Sequence, residues 1–465
     1  MPILLSAASK AIPIWFVSRG SWDDLRQKLP SAGRAFAEQS GFAPGAGRIL
    51  ITPEGDGAIG CVLMGVEAED ANFRDPMLAG KLVTTLPAGT YRFANEPPGG
   101  ARALELAALG WALASYRFGR YKKSSVVFPQ LVCPKGLDAK RIERIASSVW
   151  LTRDLVNTPA NDMGPDALEK AALSVTKSYR AKAKVIRGPA LLRQNFPLIH
   201  AVGRAASQQP RLVDITWGAA RAPKITLVGK GVCFDTGGLD IKPSSAMLLM
   251  KKDMAGAATV LGLARMIMDA RLNVRLRVLL PIVENSVSGD SFRPGDIYRS
   301  RKGLTVEIGN TDAEGRLILA DALALADEES PELLVDMATL TGAARVALGP
   351  DLPPLYATDE TFAADIQKHG MAVRDPMWRL PLWEPYDALI DGKISDLNNV
   401  SAGPFAGSIT AAMFLRRFVT RTKSWAHFDI YAWNPTTKPA RPEGGEAQIA
   451  RALFDYLEAR YGRAR

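Results

Sequence analysis

Hydrophobic residues along the second half of the chain form two alternating kinds of pattern. Continuous apolar blocks occur at 224–228, 275–281 and 333–337, and stretches with helical spacing occur at 254–268 and 316–329. Short apolar blocks are typical of strands buried on both faces, whereas longer periodic stretches indicate helices. This alternation of strand and helix predicts a central, mostly parallel sheet that is covered by helices.

The first third of the chain has a weaker pattern. Apolar blocks at 48–52, 58–66 and 89–93 predict strands, and 101–114 predicts a helix. Residues 55–60 match Gly-x-Gly-x-x-Gly but run into a strand-like block instead of opening a helix. We therefore interpret them as a hairpin turn and not as a dinucleotide site. These elements predict a small α/β domain.

The length of the chain points to more than one hydrophobic core. At 465 residues, with 47% hydrophobic residues, the chain is long enough for two domains. We predict the α/β class, with a small N-terminal α/β domain at 1–135 and a linking helix at 136–160. A larger C-terminal catalytic α/β domain then occupies 161–465 and contains the mostly parallel sheet flanked by helices.

Acidic residues follow two of the predicted elements in the larger domain. Asp235 lies in a glycine-rich segment soon after the strand at 224–228, and Asp253 precedes the helix at 254–268. In α/β proteins the turn that follows a parallel strand commonly carries the chemistry. Taken alone, Asp235 could be only a turn residue and Asp253 only a helix N-cap.

The most informative stretch is 310–319, where Asp312, Glu314 and Arg316 are spaced two residues apart. In an extended segment this spacing points all three side chains to one side. Two carboxylates held together repel each other unless a cation lies between them, and a nearby guanidinium can clamp an anion. A surface loop that caps the next helix would have the same sequence, so the stretch alone leaves both interpretations open.

The four carboxylates together balance the formal charge of two divalent cations. They are Asp235, Asp253, Asp312 and Glu314. Oxygen ligands suit a two-metal site, in which ions roughly 3.5–4 Å apart activate a water molecule and polarise a carbonyl. The three histidines are scattered, and the chain contains no His-Glu-x-x-His, Gly-x-Ser-x-Gly or Walker motif. These absences argue against a histidine-based zinc protease, a serine hydrolase of that type and a P-loop enzyme.

The run 310–317 resembles the signature of the leucyl aminopeptidase family, also called cytosol aminopeptidases. The resemblance covers roughly residues 155–430, in the same order along the chain. Its further motifs lie at 157–162, 228–231, 234–238, 241–243, 253–254, 284–285, 293–296, 339–342 and 407–412.

The resemblance implies a binuclear metallo-aminopeptidase that releases N-terminal residues from peptides. It implies five metal ligands, Lys230, Asp235, Asp253, Asp312 and Glu314. A lysine ligand must be neutral, since an ammonium group has no lone pair, and two nearby cations would lower its pKa. The resemblance also implies that Lys242 stabilises the oxyanion and that Arg316 holds a bicarbonate that acts as the proton shuttle.

Substrate preference is less well determined by the sequence. Met250, Thr339 and Gly342 occupy positions that line the first-residue pocket in the family, which implies a leucine-like preference. An apolar pocket separates similar aliphatic side chains by only about 1–3 kcal/mol per methylene, so leucine against methionine stays open. Residues 431–446 depart from the family pattern, with Tyr431 and Trp433 where many members carry small residues. This segment could be a surface loop or could influence specificity.

Charge and cysteine content bear on partners and compartment. The net charge is +10 and the isoelectric point is near 9.4, and strong basicity can indicate nucleic-acid binding. The basic and aromatic run at 116–123 could stack on bases, but we interpret it as the exposed exit of a helix. Three cysteines without a Cys-x-x-Cys motif predict reduced thiols in a cytoplasm. We find no signal-peptide pattern and no apolar run long enough for a membrane span.

The sequence therefore predicts a cytoplasmic enzyme with two divalent ions per subunit, manganese or zinc, and a bicarbonate. Its partners would be peptides with a free N-terminus, with neither nucleic acid nor membrane, and the family resemblance implies a homohexamer. One alternative is a two-metal phosphoesterase. A second, from a different class, is a basic DNA-binding or scaffolding protein with a vestigial metal site.

Overall fold

The computed structural model describes residues 3–123 and 125–462, and the chain divides into two compact units. Unit 1 comprises Met1–Trp150 together with Pro435–Glu443. Unit 2 comprises Leu151–Asn434 and Gly444–Arg465. The assignment of Pro435–Glu443 to unit 1 has no counterpart in the sequence analysis, because the hydrophobic pattern of a segment does not reveal which core it joins.

Unit 1 is a mixed α/β unit. Its elements are β1 (Leu4–Leu5), β2 (Ile12–Val17), α1 (Trp22–Arg26), α2 (Ser31–Gln39), β3 (Ile49–Pro53), β4 (Ile59–Gly65), a 3₁₀ helix (Pro76–Gly80), α3 (Lys81–Thr85), β5 (Thr90–Phe93), α4 (Gly100–Ala114) and β6 (Gln130–Val132). The strand order is β1-β6-β5-β2-β4-β3, with neighbours parallel except for β3 and β4. Glu54 N donates to Ala58 O across the β3–β4 turn at 2.7 Å, which confirms the predicted hairpin.

Helix α5 (Ala139–Asn157) continues from unit 1 into unit 2. The helices of unit 2 are α6 (Pro165–Ser178), α7 (Pro189–Arg193), α8 (Pro197–Gly203), α9 (Ser244–Met247), α10 (Ala255–Asp269), α11 (Glu314–Asp327), α12 (Gly342–Leu348), α13 (Glu360–Ala372), α14 (Gly407–Arg416) and α15 (Ala450–Tyr461). Two 3₁₀ helices lie at Met250–Met254 and Glu384–Ile390.

The strands of unit 2 form a large sheet and smaller pairings. They are β7 (Lys182–Arg187), β8 (Arg211–Trp217), β9 (Lys224–Gly229), β10 (Gly231–Asp235), β11 (Arg275–Asn285), β12 (Ile297–Arg299), β13 (Thr305–Glu307), β14 (Leu333–Ala338), β15 (Pro354–Ala357), β16 (Trp378–Arg379), β17 (Leu397–Asn398), β18 (Trp425–Asp429), β19 (Trp433–Asn434) and β20 (Gly444–Gly445). The large sheet has the order β16-β15-β18-β14-β9-β11-β8-β7, and β10 pairs with β11.

The centre of the large sheet is parallel, as the alternation of strands and helices predicts. Strands β18, β14, β9 and β11 run parallel to their neighbours, while β8 and β15 pair antiparallel outside them. Ile225, Leu227 and Val228 of β9 expose no surface, as expected for a strand with helices on both faces. The three predicted central strands are therefore confirmed, each with boundaries extended by one to a few residues.

Close packing of α10 against the sheet determines where the next polar residues lie. A Cβ on Gly256 would be 2.2 Å from Met337 O, and a Cβ on Gly229 would be 2.6 Å from the Cα of Ala257. Only glycine permits this approach of backbone to backbone. Lys230 N donates to Met337 O at 3.0 Å and Ala257 N to Lys230 O at 2.8 Å, so the backbone of Lys230 is held between β14 and α10.

Two further expectations can be compared with the structure. Cys61, Cys133 and Cys233 are free thiols, in agreement with the predicted reduced state. Among the helices of the described residues, none combines the length and the apolarity that crossing a bilayer requires.

Candidate active site

Three of the predicted ligands meet beside the carboxyl ends of the central strands. Asp235 is the last residue of β10, Asp312 lies in the turn before α11, and Glu314 is the first residue of that helix. One carboxylate oxygen from each lies within 4.8 Å of the others. The arrangement matches the expectation that chemistry in an open α/β sheet gathers at the carboxyl ends of parallel strands.

Lys230 brings the fourth acid, Asp253, into the same cluster. Its Nζ lies 2.8 Å from Asp253 Oδ2 and 2.9 Å from Glu314 Oε1, and it donates to Thr339 O at 2.8 Å. A Cβ on Gly315 would be 2.5 Å from Lys230 Cε, so glycine at this position makes room for the lysine stem. The structure thus places Lys230 between two of the acids that the resemblance implies to be its fellow ligands.

The charge state of Lys230 depends on what the cluster contains. Burial alone would lower the pKa of the ammonium group, but the charges of Asp253 and Glu314 outweigh it and raise the pKa. With only carboxylates around it, Lys230 is therefore a cation. Metal coordination requires a neutral Lys230. Lys230 would lose its proton only when metal ions replace its ammonium group as the partner of the acids.

Lys242 has the same role at the other side of the cluster. Its Nζ lies 2.9 Å from Asp235 Oδ2 and also forms an ion pair with Asp312. The side chain of Lys242 retains 13% of its exposure, against 3% for that of Lys230. Lys242 is therefore the lysine of the pair that faces the open side of the cluster.

The acids are crowded enough to alter their own protonation. Burial and the charge of Asp235 raise the pKa of Glu314 to about 8, although Lys230 opposes the shift. Burial and the same charge raise the pKa of Asp312 to about 6, although Lys242 opposes it. The two lysines therefore do not fully offset the negative charge. A buried set of oxygens with this excess fits divalent cations.

Two neutral side chains hold the acids in position. Asn285, at the end of β11 and fully buried, donates from Nδ2 to Asp235 Oδ1 at 2.9 Å and to Thr311 O at 3.1 Å. Thr339 Oγ1 donates to Asp253 Oδ1 at 2.7 Å. The sequence analysis did not assign Asn285 a role, although its motif at 284–285 and its place at a strand end were visible.

Arg316 lies in the first turn of α11 and is 7% exposed. Its NH1 donates to Asn399 O at 2.7 Å, whereas its buried Nε has no hydrogen-bond partner among the described residues. Burial lowers its pKa to about 10, and the charge of Glu314 opposes that shift. A buried guanidinium with a spare donor is a suitable place for a small anion.

One local expectation from the sequence is wrong, and one alternative is excluded. Asp312, Glu314 and Arg316 do not share one side of an extended segment, because α11 begins at Glu314. The alternative role of Asp253 as a helix N-cap is excluded, because α10 begins at Ala255 after Met254 and the Asp253 carboxylate accepts from Thr339. In both cases the acids are oriented by tertiary contacts and not by the regular spacing along the chain.

The acids and lysines open into a cavity of about 220 Å³. Its lining includes Lys230, Asp235, Lys242, Asp253 and Asp312 at one end, and the predicted pocket residues Met250, Thr339 and Gly342. Glu314 and Arg316 lie outside this lining. The structure thus places the predicted pocket residues beside the acidic cluster, as a substrate site requires.

The atypical segment at 431–446 divides in two. Tyr431 lines the cavity, whereas Pro435–Glu443 belongs to unit 1. Lys252 Nζ donates to Tyr431 O at 2.5 Å and lies 4.1 Å from the centroid of the Tyr431 ring. Burial lowers the pKa of Lys252 to about 8, although the charge of Asp253 opposes the shift. The departure from the family pattern therefore alters the cavity wall itself.

An α/β fold with clustered acids and lysines at its strand ends, opening into a cavity, defines a candidate hydrolase active site. A family model described as the cytosol aminopeptidase family, catalytic domain, matches residues 150–454, and one described as the M17 aminopeptidase, N-terminal domain, matches residues 12–134. The chain belongs to the cytosol aminopeptidase family. The predicted family, fold class and enzyme class, a hydrolase acting on peptides, are thereby confirmed.

Individual relatives agree with this assignment. A probable cytosol aminopeptidase of Syntrophotalea carbinolica is 39% identical over 385 residues, which cover 78% of this chain and 77% of the relative. The crystal structure of a cytosol aminopeptidase from Coxiella burnetii is 46% identical with a TM-score of 0.94, covering 98% of this chain and 99% of that one. The bottromycin maturation enzyme BotP, solved in complex with Mn, is 30% identical with a TM-score of 0.87, covering 96% and 99%.

Proposed function

We propose that this chain is a two-metal aminopeptidase that releases the first residue from peptides with a free N-terminus. The observation that carries the proposal is the cluster of Asp235, Asp312 and Glu314, whose oxygens lie within 4.8 Å of one another, with Asp235 and Asp312 also lining the cavity. Burial and mutual repulsion raise the pKa of Asp312 and of Glu314, so the cluster has a deficit of positive charge. Divalent cations would remove that deficit.

The proposed ligands are the five residues that the sequence resemblance implies. They are Lys230, Asp235, Asp253, Asp312 and Glu314. All five lie in one connected cluster of ion pairs and short contacts, which supports their common role. When bound, two divalent ions would activate a water molecule and polarise the scissile carbonyl. The manganese complex of BotP supports testing manganese first, with zinc as the second candidate.

Lys242 would act on the substrate directly. It lines the cavity, and its ammonium group is held at the open side of the cluster by Asp235 and Asp312. An ammonium group placed there donates hydrogen bonds to the oxygen of the scissile carbonyl as negative charge develops. The pKa of Lys242 is raised by the charges of Asp235 and Glu314 against the effect of burial, so the group keeps its proton.

Arg316 would hold a bicarbonate through its unpartnered Nε. The buried, spare donor is the observation that supports this role. Bicarbonate at that place would supply a proton acceptor. The acids of the cluster are all assigned to the metals, which leaves none of them free to act as general base.

Other parts of the proposal rest on the family resemblance. Met250, Thr339 and Gly342 line the cavity, which supports their assignment to the first-residue pocket, and a leucine-like preference is the first hypothesis to test. We also propose a homohexamer, a cytoplasmic location and no membrane or nucleic-acid partner. A salt-dependent gel shift with DNA tests the basic DNA-binding alternative.

The decisive experiment is hydrolysis of leucine anilide by the purified protein. The protein would be treated with a chelator, and manganese, zinc, cobalt or magnesium would then be restored one at a time, beside an N-acetylated substrate. We expect metal-dependent cleavage of the free-amine substrate only, because a blocked amine cannot be positioned in the site. Cleavage that survives complete metal removal, or equal cleavage of the acetylated substrate, would overturn the proposal.

A further inference from the structure

One wall of the cavity carries two cationic side chains that take no part in the ion pairs of the acidic cluster. Lys252 and Arg345 both line it, together with the ring of Tyr431 and the apolar residues Met250 and Pro353. The catalytic chemistry described above uses neither cation. A cavity that selected only aliphatic side chains would be expected to place apolar groups here.

Lys252 is buried without an acidic partner. It is 5% exposed, and its ammonium group donates to Tyr431 O and lies over the Tyr431 ring. No ion pair joins it to a carboxylate in the described part of the chain. An ammonium group has three donors, so Lys252 retains hydrogen-bonding capacity toward the cavity. Burying a cation in this way costs free energy unless a further partner compensates for the lost hydration.

Arg345 lies on α12, exposed at the mouth of the same wall. Among the described residues its guanidinium group forms neither a hydrogen bond nor an ion pair. Asp429 also lines the cavity, and its charge, like that of Asp253, acts on Lys252 without forming an ion pair with it. The Asp429 carboxylate accepts from Leu340 N, Thr341 N and Thr341 Oγ1, and so holds the start of α12.

We propose that this wall binds a substrate carboxylate, and that the first-residue pocket accepts an acidic side chain, glutamate above all. The inference rests on the proposed aminopeptidase function, specifies its substrate class, and departs from the leucine-like preference that the family resemblance implies. The methylenes of glutamate would lie along Met250, and its carboxylate would accept from Lys252 and Arg345. A leucine side chain would leave both cations without an anionic partner, and a lysine side chain would be repelled.

The test compares anilides of glutamate, glutamine, leucine and lysine with the metal-loaded, full-length protein. We expect kcat/KM for glutamate to exceed that for leucine by about tenfold, the effect of one charge-assisted hydrogen bond, with glutamine between them and lysine lowest. Leucine equal to or better than glutamate would overturn the inference while leaving the proposed function intact. No hydrolysis of any of the four would overturn the proposed function, and this inference with it.

Two variants assign the preference to its residues. Arg345→Gln should lower the glutamate-to-leucine ratio about threefold, and less at high salt, because an exposed charge is screened. Lys252→Met, which removes the charge but keeps a flexible, unbranched side chain one atom shorter, should lower the ratio about tenfold, with metal content measured to verify that the neighbouring site is intact. Arg221→Gln, an exposed arginine outside the cavity lining, is the matched control and should leave the ratio unchanged. An unchanged ratio in both cavity variants would contradict the assignment.

The carboxylate could also come from the far end of a short peptide. Hydrolysis of Leu-Leu is therefore compared with that of Leu-Leu-amide in the native protein and in Arg345→Gln. We expect the variant to affect the two equally. A loss of activity confined to the peptide with a free C-terminus would show that the wall binds the C-terminal carboxylate. That result would overturn the assignment of the wall to the first side chain.

Discussion

The two ends of the cavity hold their cations in opposite ways. At the acidic end, Lys230 and Lys242 each contact two carboxylates. At the opposite wall, Lys252 and Arg345 have no ion pair with an acid in the described residues, and Lys252 uses a carbonyl and an aromatic ring instead. The acidic end has more negative charge than its lysines offset, whereas the two cations of the wall have no ion-paired carboxylate. The first imbalance suits metal ions, and the second suits an anionic side chain.

The two ends also differ in how they are built. The acidic end stands on β10, on α11 and on the 3₁₀ helix before α10, which the central sheet holds in place. The wall is formed by the short helix α12, by Tyr431, which follows β18, and by Lys252, which shares the 3₁₀ helix Met250–Met254 with Asp253 of the acidic end. Changes at the acidic end should therefore lower turnover of every substrate alike, while changes at the wall should alter the ratio between substrates.

The largest expected effect comes from Glu314→Gln. Loss of one buried ligand charge should reduce kcat/KM by at least about 10³-fold, since metal ions supply several kcal/mol of transition-state stabilisation. The fall in kcat/KM should be equal for the leucine and glutamate anilides, and metal content would be measured in parallel. The control is Glu54→Gln, in the β3–β4 turn. Full activity in Glu314→Gln would remove Glu314 from the ligand set. A loss of activity toward only one of the two anilides would contradict the separation of turnover at the acidic end from substrate preference at the wall.

Lys242→Ala comes next. Because one oxyanion donor typically supplies 10²–10³-fold, kcat should fall by about that factor for both anilides while the metals remain bound. Steady-state kinetics and metal analysis measure the two quantities, and the exposed Lys393→Ala is the control. A loss of less than about tenfold would count against a direct role for Lys242.

Asn285→Ala tests a positioning role. Its two hydrogen bonds hold Asp235 and the backbone before Asp312, so metal affinity should fall by about 10–100-fold, as for other residues that orient ligands. A manganese titration measures the affinity, and Asn273→Ala, exposed on the surface, is the matched control. If the affinity stayed unchanged while stability fell, Asn285 would be purely structural.

The smallest effect is a dependence of metal affinity on pH. Coordination requires the deprotonated carboxylates, and Glu314 has its pKa raised to about 8 and Asp312 to about 6. Protons therefore compete increasingly with the metal as the pH falls from 8 to 6, and the apparent manganese affinity should drop by at least about tenfold per pH unit. Calorimetry in buffers of different ionisation enthalpy measures the protons released. A flat profile would mean that the acids are already ionised without metal and that Lys230 releases no proton on metal binding, which would remove Lys230 from the ligand set.

Much of this architecture could be predicted from the sequence. The apolar blocks at 224–228, 275–281 and 333–337 became β9, β11 and β14, because a parallel strand covered on both faces has to be apolar throughout. The acids were recognised because together they balance the charge of two divalent cations and lie in motifs that resemble those of the family. The local sequence pattern did not predict how these side chains are oriented, because Glu314 begins a helix and Asp253 does not cap one.

The sequence by itself determined the alternation of elements, the family and the residue types available for chemistry, because these depend on local pattern and composition. Only the tertiary structure decided which acid meets which lysine, that Asn285 supports Asp235, and that Lys252 lies under Tyr431, 179 residues away along the chain. The charge imbalance at each end of the cavity follows from these side-chain contacts. Electrostatic energy and burial depend on distances in space, which residue order does not specify.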